Sequence, residues 1–390
     1  MDKLKTAFGG AIVLYFIIGL EVLIMISPFA GFFYTVFNPV LLEASRYPAT
    51  RWLSAFFLPH MVVPPDNFLK AVRVAGSVLF VLGISVFLFC ALQVYWSKFR
   101  KKGAVTKGLY SFIRHPQYLG LGMAGIGLAI LWPRFLVAVL WLCMALVYYL
   151  LSKDEERRML KEHGQSYENY MERTGMFLPK AMEKAIAPSG VMGKAAIFAL
   201  IAVFTVGGAF FLRHYTISRL PLWSGGSVVA LSILPEDEAM MNHRMGDILG
   251  MAEIRARLGD GGTHLVYFMP ENYVMQGLIA DTGGQWRLYK RHHALGMIAD
   301  WIFHPFGHLK GGGHMHGHDG AAPDSSGVIR RLVFVRIGNV EVREPSDVFA
   351  LEATREPRFM ADVDVHDLRL IDLKDLPPGT GWGAVPTPVF

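Results

Sequence analysis

Arg114-His115-Pro116 and the pair Glu155-Glu156 are the residues whose types suit chemistry and whose spacing lets them meet. A guanidinium beside an imidazole can clamp a carboxylate or phosphate, and paired carboxylates supply acceptors or a base. Pro116 forces the residue before it out of helical geometry and suits a first helical turn. His115 is therefore expected at a helix N-terminus, where unpaired N–H groups and the helix dipole favour anions. An apolar hairpin with its turn at Trp132-Pro133-Arg134 separates the two motifs, so the carboxylates return to the level of His115. Beyond them Leu160, Gly164, Tyr167, Tyr170 and Pro179 mark an amphipathic, lid-like segment, with the two tyrosines on one face.

The hairpin that positions these groups is rich in small residues. Gly120/Ala124 and Gly125/Ala129 are small-xxx-small pairs, which let a neighbouring helix or a flat ligand approach the backbone. Gly120, one turn beyond His115, is the glycine expected to face a ligand, the others serving helix packing.

The rest of the chain sets the context. Of 390 residues 53% are hydrophobic and only 18% charged, against about 25% charged in soluble domains. Apolar runs crowd the first 212 positions, and mixed sequence follows. The expected fold is an α-helical polytopic membrane protein of about five transmembrane helices with a C-terminal α+β soluble domain. The spans are read at 10–34, 72–94, from Pro116, up to Leu151, and 194–212. Glu21 stands inside the first of them, and an intramembrane carboxylate is a functional candidate.

Domain boundaries follow: 1–69 for the first helix and an interfacial loop, 70–185 for the core carrying the motifs, 186–212 for the last span, and 213–390 for the soluble part. Within the loop, Trp52–Phe57 reads as a short amphipathic or re-entrant piece. The basic segments at the N-terminus, at 98–115 and at 153–194 fall on one side if there are five spans. The positive-inside rule then puts the N-terminus inside and 213–390 outside, in a plasma or inner membrane. The net charge of +6 is explained by this topology, so no nucleic-acid partner is inferred. Cys90 and Cys143 both lie in apolar spans and imply nothing about disulfides.

In the C-terminal part a helix is expected over 236–258, a strand over 263–269, a hairpin over 273–291, and antiparallel strands over 328–342 and 347–374. Between them lies GGGHMHGHDG. His314, His316 and His318, with His304, His308, Met315 and Asp319, are the candidate ligands for a divalent transition metal.

Gly108, Tyr110, Arg114-His115-Pro116, Tyr118 and Gly120, then an apolar hairpin, Glu155-Glu156, Leu160, Gly164, Tyr167, Tyr170 and Pro179, together resemble the isoprenylcysteine carboxyl methyltransferases. That family is similar to the phospholipid methyltransferases and other integral-membrane methyltransferases, and the resemblance covers about residues 70–180. It implies S-adenosylmethionine bound at the cytoplasmic face and methyl transfer to a lipophilic, isoprenoid or lipid-like acceptor. Carried over by motif, His115, Pro116, Tyr118, Gly120, Glu155, Glu156 and Tyr167 would contact the cofactor. Arg114 and Arg157 would stand near the acceptor's head group or the cofactor carboxylate, and for an amine acceptor Glu156 or His115 would serve as the base. The Asn often found in the second hairpin helix of that family is absent from Leu140–Leu151, which leaves the acceptor open. Two alternatives stand beside this reading: an NADPH-dependent sterol-type reductase, and a non-catalytic protein acting through 213–390 as a metal- or partner-binding module.

Overall fold

The computed structural model describes residues 43–44, 46–59, 62–100, 105–186, 190–259, 261–271 and 329–376. The expected first span with Glu21, the hairpin at 273–291 and the His-rich segment lie outside the described residues. The chain divides into two compact units, Met1–Ile26 with Asn67–Arg213 and Ser27–Asp66 with His214–Phe390.

The first unit is helical: α1 Asn67–Phe99, α2 Pro116–Leu131, α3 Phe135–His163, α4 Gln165–Arg173, α5 Lys180–Ile186 and the start of α6 Val191–Arg219. Three of its segments, Asn67–Ser97, Phe135–His163 and Val191–Arg219, are long and apolar enough to cross a membrane. They contain the expected second, fourth and fifth spans. The expected third span is the shorter apolar helix Pro116–Leu131, whose 16 residues reach about 24 Å at the rise of an α-helix.

Local chemistry sets the helix ends. Pro116 stands in the first turn of α2 after a non-helical His115, as expected. Gly164, with φ +51, closes α3 and redirects the chain into α4.

α1 and α2 touch through their backbones. A Cβ on Gly83 would lie 2.4 Å from Ala124 N, and one on Gly127 would lie 2.4 Å from Phe80 N. A Cβ on Gly120 would lie 2.8 Å from the Gly83 carbonyl oxygen and 2.9 Å from Phe87 N. Gly120 therefore faces α1, and close helix packing accounts for a glycine there. Gly125 faces the other neighbour, with its missing Cβ 2.6 Å from the Trp141 ring of α3. Trp141 Nε1 donates to the Gly122 carbonyl at 2.9 Å and fastens the hairpin.

The second unit is a six-stranded sheet, β1 Leu222–Gly225, β2 Val228–Ser232, β3 His264–Pro270, β4 Ile329–Gly338, β5 Thr354–Asp364 and β6 Arg369–Asp375, in sequence order across the sheet. Among the described strands only β2 and β3 run parallel, joined by a crossover through α7 Glu238–Gly250 and α8 Ala252–Leu258. The single helix expected over 236–258 breaks at Met251, whose extended ψ of 133 separates the two.

Alternation along the strands sends Val228, Ala230, Val266, Phe268 and Phe334 against Met241, Met245, Ile248 and Ile254 of the helices. Val229, Leu231, Leu265, Tyr267, Val333 and Val335 form the opposite face with Val348, Phe349 and Val62. Val62 comes from the stretch read as an interfacial loop, and Val63 N–H donates to the Ile233 carbonyl at 3.0 Å. The piece read there as amphipathic or re-entrant contains a 3-10 turn, Arg51–Ser54. Buried partners of opposite charge also tie β4 to its surroundings: Arg330 to Asp237 at 2.7 Å and Arg331 to Asp362 at 2.6 Å.

Candidate functional site

The two motifs of the hairpin do meet. Arg114 Nε donates to Glu156 Oε1 at 2.7 Å, with both side chains buried. The second oxygen of Glu156 accepts from Lys153 Nζ at 3.0 Å. One buried carboxylate is thus held by two cations, which offsets the cost of taking it out of water.

Arg114 has a further task. Its Nη1 donates to the Met171 carbonyl at 3.2 Å and to the Thr174 carbonyl, the last acceptors of α4. Around it the chain after α4 runs alongside the residues before α2. Arg114 N–H donates to Gly175 O at 2.8 Å and His115 N–H to Met176 O at 3.0 Å, with a parallel bridge pairing Ile113 with Gly175. Gly175 fits a turn so tight that a Cβ would meet the Leu178 carbonyl at 1.8 Å. Tyr170 OH adds a bond to the Tyr110 carbonyl at 2.6 Å. The lid-like segment is therefore strapped onto the RHP motif, and Arg114 is its clasp.

His115 lies between the two glutamates. Its Nδ1 is 3.4 Å from Glu155 Oε2. Its Nε2 is 3.6 Å from Glu156 Oε1, beyond hydrogen-bond reach. Nε2 is buried without a hydrogen-bond partner. Burial pushes the imidazole pKa down, but the two carboxylates outweigh burial and hold it above its usual 6.5. Glu155 differs from its neighbour: its side chain is 42% exposed, and its Oε1 accepts from Tyr118 OH at 2.5 Å. The Tyr118 ring stacks on Tyr148, 4.9 Å between centroids, and lies 5.8 Å from the His115 ring. Tyr167 is buried, 5.6 Å from the Tyr170 ring. Burial first, and the Glu156 charge second, push its hydroxyl up to about 12.

The structure thus brings together Arg114, His115, Pro116, Tyr118, Glu155, Glu156 and Tyr167 from the sequence-based set. Two residues of that set fall elsewhere. Gly120 faces α1, as above, and Arg157 is exposed on α3, one position past buried Glu156. Consecutive helical residues point about 100° apart, so an inward Glu156 turns Arg157 outward. Arg114 and Glu156 bond to each other, and the Met171 and Thr174 carbonyls and Lys153 bond to them in turn.

Sequence reasoning missed Lys153, the Met171 and Thr174 carbonyls, and Gly175. Only Lys153 carried a signal, its i, i+3 spacing to Glu156. Among the described residues no group of three or more His, Cys, Asp or Glu side chains could hold a metal ion; His314, His316 and His318 lie outside them.

The chemistry available is that of a polar cluster at the foot of an apolar hairpin. It offers one accessible carboxylate, one imidazole with a free ring nitrogen, and an aromatic wall. Such a set can hold a zwitterionic small molecule: the carboxylate for an ammonium, the protonated imidazole for an anion.

Comparison with known proteins places this cluster in a family context. Residues 71–166 match the family model described as phospholipid methyltransferase, in line with the resemblance carried by the motifs. A nickel-cobalt-cadmium resistance protein, NccN, of Alcaligenes xylosoxydans xylosoxydans is 35% identical over 95 residues, 24% of this chain and 43% of that protein. The chain thus covers less than half the length of this curated relative.

Proposed function

We propose that this membrane protein is an S-adenosylmethionine-dependent methyltransferase acting on a lipophilic acceptor, with the cofactor held at the cytoplasmic foot of the α2–α3 hairpin. The N-terminus then lies inside and the sheet unit outside. The observation that carries the reading is the buried, unpartnered Nε2 of His115 beside half-exposed Glu155, within a segment that matches a methyltransferase family. A buried polar atom without a partner is costly, and a ligand that supplies one relieves the cost.

The residues present fit the cofactor. Glu155 would accept from its amino group, protonated His115 would face its carboxylate, and the Tyr118 and Tyr148 rings offer an apolar wall. When bound, S-adenosylmethionine supplies an electrophilic methyl group. The protein's own contribution is alignment and exclusion of water, since direct displacement demands little acid–base help. A carboxylate acceptor needs no base. An amine acceptor must lose a proton, and Glu155 is better placed to take it than Glu156, whose oxygens are both bound to cations.

The test is calorimetric titration of S-adenosylhomocysteine into detergent-purified protein, alongside His115→Ala and Glu155→Ala, with NADPH titrated in parallel. Micromolar binding to wild type, lost in both variants, is the expected result. No binding to folded wild type overturns the reading, and NADPH binding in its place would favour the reductase.

A second reading concerns His314, His316 and His318. Three imidazoles at alternate positions in a glycine-rich stretch, together with the metal-resistance name of the relative, favour divalent transition-metal binding there. Nickel or zinc titration of the full chain, against the triple alanine variant, decides it: equal uptake by both removes the histidines from consideration.

A further inference from the structure

Two more buried polar atoms of the first unit lack partners, and the proposed chemistry does not use them. Gln93 Oε1, on α1, and Tyr110 OH, in the 3-10 turn Gly108–Ser111, are both without a hydrogen-bond partner. They belong to one layer. Gly108, at φ +68, presses the turn onto α1 so closely that a Cβ would stand 3.2 Å from Gln93 Nε2. A non-glycine residue there would be strained as well as crowded. Cys90, fully buried, lies one turn before Gln93 on α1. Tyr110 is 7% exposed, its backbone carbonyl is taken by Tyr170, and Glu155 is near enough for its charge to act on the phenol. The pair thus adjoins the His115–Glu155 cluster but differs in kind. Gln93, Tyr110 and Cys90 carry no charge, whereas Arg114, His115, Lys153, Glu155 and Glu156 are all ionisable.

We infer that Gln93 and Tyr110 form a neutral hydrogen-bonding subsite that takes the nucleoside end of the cofactor, leaving the charged amino-acid end to His115 and Glu155. This rests on the proposed cofactor. An adenosyl group is uncharged and carries both donors and acceptors. A carboxamide terminus and a phenol offer both in return, whichever way the amide is turned. Charged ligand parts would be poorly served there, because a neutral pair does not repay their desolvation. The two atoms are kept out of water without a partner, a state that costs stability until a ligand supplies the missing bonds.

The experiment uses the full chain in detergent, with Tyr110→Phe and Gln93→Leu. S-adenosylhomocysteine and adenosine are each titrated by calorimetry, and melting is followed without ligand. Tyr110→Phe removes a buried hydroxyl, and Gln93→Leu a buried amide oxygen, that have no hydrogen-bond partner in the protein, so the melting temperature without ligand is expected to hold or rise. Affinity for both compounds is expected to fall about three- to tenfold per variant, the worth of one neutral hydrogen bond. Wild-type binding with unchanged affinity in both variants overturns the subsite and leaves the cofactor reading standing. A fall in melting temperature that accompanies the lost affinity also overturns it, since the groups would then be structural, for example anchoring a buried water. Absence of wild-type binding removes the cofactor reading itself, and the subsite with it.

Discussion

Arg114 Nε and Glu156 Oε1 stand 2.7 Å apart, and their side chains are 5% and 3% exposed although 42 positions separate them in the chain. Each comes from a different foot of the apolar hairpin. Their bond closes the hairpin at its polar end, and the same arginine holds the carbonyls that end α4. Cluster and lid are therefore one cooperative piece of structure.

Removing one partner should show this. Glu156→Ala leaves Arg114 and Lys153 facing each other over a buried gap and is expected to destabilise the protein by about 3–5 kcal/mol. The pairwise replacement Arg114→Met with Glu156→Leu is expected to recover part of that. Thermal unfolding in detergent reads both, and a Glu156→Ala variant as stable as wild type would show the pair to be dispensable.

Glu155 should behave in the opposite way. Its side chain is 42% exposed, so Glu155→Gln is expected to leave the melting temperature nearly unchanged. It should nevertheless weaken S-adenosylhomocysteine binding about tenfold or more, the worth of a charge-assisted hydrogen bond. Calorimetry beside a melting curve separates the two effects.

The imidazole of His115 gives the cluster a pH dependence. Its pKa is raised in the folded protein, because Glu155 and Glu156 outweigh the burial that lowers it. The stability it contributes is fully present below the unfolded value of about 6.5 and is lost as pH rises through the higher folded value. Melting temperatures across that range are expected to decline with pH in wild type and to decline less in His115→Gln. Parallel curves would remove His115 as the source.

The glycines of α1 and α2 are expected to divide by contact. Gly83→Ala would set a Cβ 2.4 Å from the Ala124 backbone, and such overpacking costs about 1–3 kcal/mol. Gly122→Ala, with nothing within 4 Å of its Cβ, is expected to be neutral or to stabilise by up to about 1 kcal/mol. Unfolding of the two variants side by side checks the assignment.

Much of this was legible in the chain. Apolar length marked the membrane helices, Pro116 marked the start of α2, and period-two alternation marked β4 to β6. The meeting of RHP with the glutamates followed from hairpin topology alone, because a short turn between two helices returns their feet to one level. Illegible were the break at Met251, where a helical pattern continues in sequence but the backbone turns extended, and the passage of Val62 into the sheet core. Both depend on partners remote in sequence.

What the sequence by itself determined is which residue types gather at the foot of the hairpin, since order and spacing suffice for that. Only the tertiary structure decided which of them faces where. Glu155, Glu156 and Arg157 are consecutive, and a helix sends consecutive side chains in directions about 100° apart. Its rotation about its own axis is set by packing: Gly125 against Trp141 and Tyr118 against Tyr148. Those contacts put Glu156 inside as the anchor of Arg114, leave Glu155 at the opening, and turn Arg157 to the surface.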